Sequence, residues 1–155
     1  MPDMLVQLYR LPDLGPAIAR QQARGVVVRR ALAPEKRGVL KWVARHWGGV
    51  WASECDVAFA REPVSCLLAL RDARILGFAC YESTCRNFFG PTGVLESARG
   101  QGTGTALLLA ALHAMRSQGY AYAIIGGVGP ADFYARTVGA VSIADSTPGI
   151  YGGVL

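Results

Sequence analysis

Long apolar runs are missing from this 155-residue chain. Stretches such as residues 106–112 fall far short of the roughly 20 residues that span a bilayer, so no membrane partner is expected. Residues 1–3 lack the basic start and long apolar stretch of a secretory signal, which makes the expected location cytoplasmic. The chain has only four cysteines and two histidines. None of the cysteines (55, 66, 80 and 85) is spaced as C-x-x-C, so neither a zinc site nor a disulfide framework is expected, and no metal. Blocks of like charge are also absent. The net charge of +5 comes from scattered residues, without the basic stripe and interleaved aromatics of a nucleic-acid binder. A nucleic-acid accessory role would rest on net charge alone. Internal repeats and low-complexity tracts are missing too.

What is present is a core-forming composition. Hydrophobic residues make up 52% and charged residues 17%. A chain of this length and composition forms one globular domain, here residues 1–155, with residues 1–25 as an N-terminal extension packed on or beside it. Residues 4–11 read as a short strand. Leu14, Ala17, Ile18 and Gln21 read as a short helix stopped by Gly25. Residues 26–32 are β-branched and form a strand. Pro34 then suits a first helical turn, and Val39, Trp42, Val43 and His46 or Trp47 mark one buried helix face. Residues 51–61 form a second helix, with Ser53 as its cap. Residues 64–70 and 75–81 make an antiparallel hairpin across a polar turn. Residues 87–94 form a strand whose Pro91 is unable to donate to a ladder, so one of its sides should lack full pairing or carry a bulge. Residues 102–118 form the main helix and residues 120–125 a parallel return strand. A short helix at 131–138 and two short strands at 140–144 and 150–155 complete the order. The expected class is α+β, a mixed sheet of six or seven strands splayed at one parallel junction and flanked by about four helices.

Between the strand ending at Val94 and the main helix lies Arg99-Gly100-Gln101-Gly102-Thr103-Gly104. Free N–H groups at a helix start, favoured by the helix dipole, hold phosphate oxygens. A P-loop would need Lys and then Ser or Thr after its last glycine, but Thr105 and Ala106 follow Gly104. A dinucleotide fingerprint would need a sixth-position glycine, and Thr105 or Leu107 stands there. No acidic residue near position 124 could hold a ribose. What remains is R-x-x-G-x-G on Arg99, Gly102 and Gly104.

At these residues the chain resembles the GCN5-related N-acetyltransferase superfamily. Residues 26–35 resemble its first strand and helix start, 64–81 its second and third strands, and 129–139 its last helix with a tyrosine before a glycine. The resemblance spans about residues 26–145. It implies acetyl-CoA as cosubstrate. The pantetheine arm would lie along Thr92, Gly93 and Val94. The pyrophosphate would sit on Arg99, Gly100, Gln101, Gly102, Thr103, Gly104 and Thr105. The Val94 backbone N–H would serve as oxyanion donor and Tyr134 as general acid. Glu82 or Glu96 is the candidate base, with Glu54 and Asp56 the other carboxylates near the implied cleft, and a water chain with no single base is the equal alternative. Trp47, Trp51, Phe88 and Phe89 either wall the acceptor pocket or are core. Cys80 or Cys85 as nucleophile would need an activating histidine, and neither histidine is placed for it. The implied activity is direct acetyl transfer to a primary amine in a ternary complex. A small-molecule acceptor is favoured over a protein, and the excess of positive charge disfavours a polycation. Departures from the family pattern, Gly127 for an asparagine and a one-residue-wider spacing from Tyr134 to Gly139, favour the alternative, a catalytically silent acyl-CoA-binding module. Residues 1–25 and the last hairpin are the candidate surfaces for a homodimer.

Overall fold

The computed structural model describes residues 1–154. Its sheet has seven strands: β1 (Met4–Gln7), β2 (Val27–Arg30), β3 (Cys66–Arg71), β4 (Arg74–Tyr81), β5 (Phe88–Val94), β6 (Tyr122–Ile125) and β7 (Val141–Ser142). The spatial order is β2-β3-β4-β5-β6-β1-β7. Every neighbouring pair is antiparallel except β5 and β6. Five helices flank it: α1 (Leu14–Gln22), α2 (Lys36–Trp47), α3 (Gly49–Phe59), α4 (Thr103–Ser117) and α5 (Ala131–Val138). No helix among the described residues is long and apolar enough to cross a membrane.

Both faces of the sheet are covered, which is why β3 and β4 read as nearly continuous apolar runs instead of alternating ones. Cys66, Leu68, Phe78 and Cys80 point into one core with Val39, Val43, Cys55 and Ala58 of α2 and α3. Leu67, Ala69, Ala79 and Tyr81 point into the other, filled by Leu107, Leu108, Leu112 and Met115 of α4. α4 buries eight of its 15 residues. Fully burying one leucine side chain is worth about 1.5–3 kcal/mol, so this helix anchors the second core.

The parallel junction is short. Only Phe88 and Phe89 of β5 register with Ile124 and Ile125 of β6. Beyond Phe89 the two strands diverge, leaving Gly90–Val94 open on that edge. The β4–β5 register slips between Ala79 and Tyr81. Pro91 points its nitrogen toward β4, as Leu95 does, and it falls at this slip, so its missing N–H costs no ladder bond.

Three expectations are corrected. Residues 1–25 do not sit beside the sheet: β1 is an interior strand between β6 and β7, and Leu8, α1 and α4 share a core. Ser53 does not cap α3. The helix begins at Gly49, and the Ser53 hydroxyl donates back to the Gly49 carbonyl at 3.0 Å. The closing hairpin is not formed. β7 is two residues long, and Gly149–Tyr151 is a 3-10 turn, with Leu155 outside the described residues. Asp145, Pro148 and Gly149 break extended structure there.

Candidate active site

The divergence of β5 and β6 opens a cleft of about 1740 Å³. Its lining runs from Trp47, Trp51 and Glu54 past Phe89–Val94 to the glycine turn, and back along Gly126–Pro130, Phe133 and Tyr134. Arg99 and Glu54 are its only lining side chains of formal charge among the described residues, and they come from different elements.

The glycine turn leaves a row of backbone N–H groups without partners among the described residues. Gly102 is the α4 N-cap with φ 81°, a left-handed conformation that glycine adopts without penalty. The N–H groups of Gly100 to Thr105 donate to no group among the described residues, and the first later bond is Ala106 N–H to the Gly102 carbonyl at 3.0 Å. These are the unpaired donors of a helix start. The loop is held from behind by α1. Gln21 is 1% exposed. Its Nε2 donates to the Gln101 carbonyl at 2.9 Å, and its Oε1 accepts from the Thr103 hydroxyl at 2.9 Å. The Thr103 side chain is therefore turned into the protein, leaving only its backbone N–H for an anion. Sequence reasoning missed the role of Gln21. The signal was present: a glutamine on the apolar stripe of Leu14, Ala17 and Ile18. Arg99 is exposed at the cleft rim, its Nε donating to the Val94 carbonyl at 3.3 Å.

The open edge of β5 carries alternating backbone groups. The Leu95 N–H donates to the Leu76 carbonyl at 2.8 Å, and Val94 stands opposite Gly77. In an antiparallel ladder the bonded and non-bonded pairs alternate. Val94 and Thr92 are thus at non-bonded positions toward β4, and their N–H and C=O groups face the cleft. The Thr92 hydroxyl is committed to the Phe78 carbonyl at 2.9 Å, so the backbone of this residue, and not its side chain, is available. Gly93 is required by packing: a Cβ there would lie 2.5 Å from Cζ2 of Trp47.

Tyr134 lines the cleft from α5, with its ring edge-on to Phe89 at 6.3 Å and to Phe133 at 5.1 Å. Burial pushes its phenol up to about 12, so it keeps its proton at neutral pH. Its hydroxyl has no hydrogen-bond partner among the described side chains and backbone.

Neither candidate base faces the cleft. Glu82 accepts from the Asn87 N–H through Oε1 and from the Tyr120 hydroxyl at 2.9 Å through Oε2. It pins the β4–β5 connection at φ 58°. Glu96 lies in the exposed turn Glu96–Ala98. Asp56 pairs with Lys36 at 2.6 Å on the outer surface. Glu54 is the carboxylate that enters, one helical turn beyond Trp51, accepting from the Thr84 hydroxyl at 2.5 Å. The aromatic alternatives resolve into both roles for Trp47 and Trp51. They stack at 6.0 Å and 16°, pack on Phe78, and line the cleft. Phe89 also lines it, whereas Phe88 packs by Gly126. Cys80 is buried in the α2–α3 core. Cys85 lines the cleft without a histidine beside it.

The second glycine loop is fixed by a residue the sequence did not single out. The Asp3 carboxylate accepts from the Gly127 N–H at 2.8 Å, and the Asp3 N–H donates to Ser146 Oγ at 2.8 Å. The first strand and the chain's last turns thereby hold one lip of the cleft.

Residues 36–139 match the family model described as Acetyltransferase (GNAT) family. No curated protein sequence matches the chain. Solved structures with a similar fold include a GCN5-related glucosamine N-acetyltransferase region of a fungal multi-domain GH3 beta-N-acetylglucosaminidase (TM-score 0.73, 15% identity, covering 92% of this chain and 19% of that one). A GCN5-related N-acetyltransferase from Sphaerobacter thermophilus aligns with TM-score 0.65 and 18% identity, over 92% of this chain and 48% of that one. A GNAT family acetyltransferase from Brucella melitensis, in complex with acetyl-CoA, aligns with TM-score 0.54 and 20% identity, over 77% of this chain and 88% of that one. The chain thus spans about a fifth and about half of the first two proteins' lengths.

Proposed function

The chain belongs to the GNAT acetyltransferase family, and we propose that it moves the acetyl group of acetyl-CoA to a primary amine by direct transfer in a ternary complex. The observation that carries this reading is the pairing of the free N–H groups at Gly100–Thr105 with the unpaired edge of β5. The first suits a pyrophosphate. The second suits the amide-bearing pantetheine arm, which can join an open strand edge as another strand would. The binding of acetyl-CoA by the Brucella melitensis relative supports the same cosubstrate here.

In this reading the acceptor ammonium first sheds one proton to solvent. The amine lone pair then attacks the thioester carbonyl carbon, forming the C–N bond and a tetrahedral oxyanion. The Val94 N–H donates to that oxyanion. Collapse breaks the C–S bond, and the sulfur takes a proton donated by Tyr134, which regains it from the amide nitrogen by way of solvent. The net change is RNH3+ plus acetyl-CoA to the N-acetylamine, free CoA thiol and one released proton. A phenol held near 12 is a weak acid. Its contribution is a hydrogen bond to the developing thiolate that becomes full transfer as the C–S bond breaks.

The test combines calorimetry with an assay of released CoA thiol. The expected result is acetyl-CoA binding by the wild type and amine-dependent thiol release. Tyr134→Phe should lower kcat about 100-fold or more with unchanged acetyl-CoA affinity. Binding without turnover over a broad amine panel would instead support the silent acyl-CoA module. Absence of binding would overturn both.

A further inference from the structure

From the acceptor end of the cleft we infer that the amine substrate is a monocation with an apolar body, its ammonium paired with Glu54. This rests on the acetyltransferase reading above and narrows it to one substrate class. Glu54 is the single carboxylate lining the cleft among the described residues. The other charged side chain in the lining, Arg99, stands at the glycine turn beyond β5, next to Val94.

The surroundings of Glu54 are built. Thr84 donates to its Oε1 at 2.5 Å, which leaves Oε2 without a partner among the described residues. Tyr151 lines the same end of the cleft. Its ring lies over Gly126 and Gly127, so close that a Cβ on Gly126 would meet the hydroxyl at 2.6 Å. The Ser83 hydroxyl is buried nearby without a partner, so this end holds polar capacity that its own side chains leave unused. Around these groups the walls are apolar: Trp47, Trp51, Val50 and Val57 on one side and Ile150 on the other. Trp51 precedes Glu54 by three residues on α3, so ring and carboxylate share a helix face.

Charge counting then selects the substrate. One ammonium satisfies Glu54 and gains from the adjacent indole faces. A second or third ammonium, as in a polyamine or an aminoglycoside, would enter an apolar wall with no counter-charge. A substrate carboxylate, as in an amino acid, would lie beside Glu54 itself, with Arg99, the one cationic side chain of the lining among the described residues, beyond β5. Apolar bodies gain roughly 25 cal/mol per Å² buried against the tryptophans and valines.

The test uses the full chain with acetyl-CoA and four amines: hexylamine, phenethylamine, spermidine and glutamate. Thiol release should give the two monoamines a kcat/KM at least 10-fold above the other two. Glu54→Gln, which keeps the Thr84 contact and the shape, should raise their KM about 10- to 100-fold and leave acetyl-CoA affinity unchanged. Amine binding is read separately from tryptophan fluorescence with hexylamine, which does not absorb at the excitation wavelength. If no amine is acetylated, Glu54-dependent hexylamine binding upholds the amine site while the transfer reading fails. The inference is overturned if spermidine or glutamate is the better acceptor. It is also overturned if Glu54→Gln leaves both monoamine KM and hexylamine binding unchanged, or if hexylamine neither binds nor reacts. Trp51→Ala is the second probe: it should weaken phenethylamine about 10-fold and leave acetyl-CoA binding unchanged.

Discussion

Gln21 offers the sharpest check on how the fold prepares its anion cradle. The side chain is buried and bridges two points of the glycine turn, the Gln101 carbonyl and the Thr103 hydroxyl, both at 2.9 Å. Gln21→Met keeps the length and removes both contacts. Each net hydrogen bond is worth about 0.5–1.5 kcal/mol, and each buried group left without a partner costs about 1–3 kcal/mol. The carbonyl can turn toward water more readily than the buried hydroxyl can, so the expected loss is about 2–4 kcal/mol in urea unfolding. Thr103→Val alone should cost about 1–2 kcal/mol, because it leaves Gln21 Oε1 unpaired. The double variant removes the orphaned hydroxyl along with its partner, so its loss should fall about 1 kcal/mol or more below the sum of the singles. Function should follow. If release of the turn frees one residue's backbone, about 1–2 kcal/mol of ordering returns to acetyl-CoA binding. That is a roughly 5- to 30-fold weaker Kd by calorimetry. A Gln21→Met protein that matches the wild type in stability and in acetyl-CoA affinity would refute the reasoning.

Three further outcomes follow from single contacts. Gly93→Ala sets a Cβ 2.5 Å from a tryptophan ring that is itself wedged against Trp51 and Phe78; it should cost about 1–3 kcal/mol in urea unfolding and shift the tryptophan emission, whereas Gly38→Ala in α2, with open space around it, should stabilise by roughly 0.5–1 kcal/mol. Tyr134 is held near 12 when folded, against an ordinary value of 10, so the native state binds the extra proton between those values. Its stabilising effect is complete below pH 10 and is lost as pH rises through 12, about 3 kcal/mol in all, and Tyr134→Phe should flatten that part of the stability curve. Cys55, Cys66 and Cys80 are buried and Cys85 is half-buried in the cleft wall, so a thiol reagent should label one cysteine quickly in the native protein and all four only in denaturant, with acetyl-CoA slowing the first.

The parts of this molecule legible in the sequence are those set by local chemistry. The turn from Arg99 to Gly104 announced itself because a left-handed N-cap and free helix-start amides demand glycine. α5 is legible at Ala131–Val138 because Pro130 and Gly139 bracket it. Pro91 marks the irregular pairing of β5, the register slip against β4, because a residue without an N–H is tolerated where the ladder is interrupted. What stayed hidden depends on contacts distant in sequence. β1 slots beside β6, more than a hundred residues away, and its four residues gave no hint of an interior place. Asp3 reaches Gly127 and Gln21 reaches Gln101 by the same long-range packing. The carboxylates were misjudged for a related reason. Glu82 and Glu96 flank strand ends that point toward the cleft, but the positive φ at Glu82 turns its side chain to Asn87 and Tyr120. The register of α3 swings Glu54 inward and Asp56 outward, and only the packing of α3 on the sheet fixes that register.

Amide hydrogen exchange, resolved by residue and measured with and without acetyl-CoA, tests the central claim most directly. The backbone N–H groups of Thr92, Val94 and Gly100–Thr105 lack protein partners on the cleft side, so they should exchange freely in the unliganded protein and become protected together when acetyl-CoA binds. Protection confined to other segments, or saturating acetyl-CoA that leaves these amides unchanged, would contradict it.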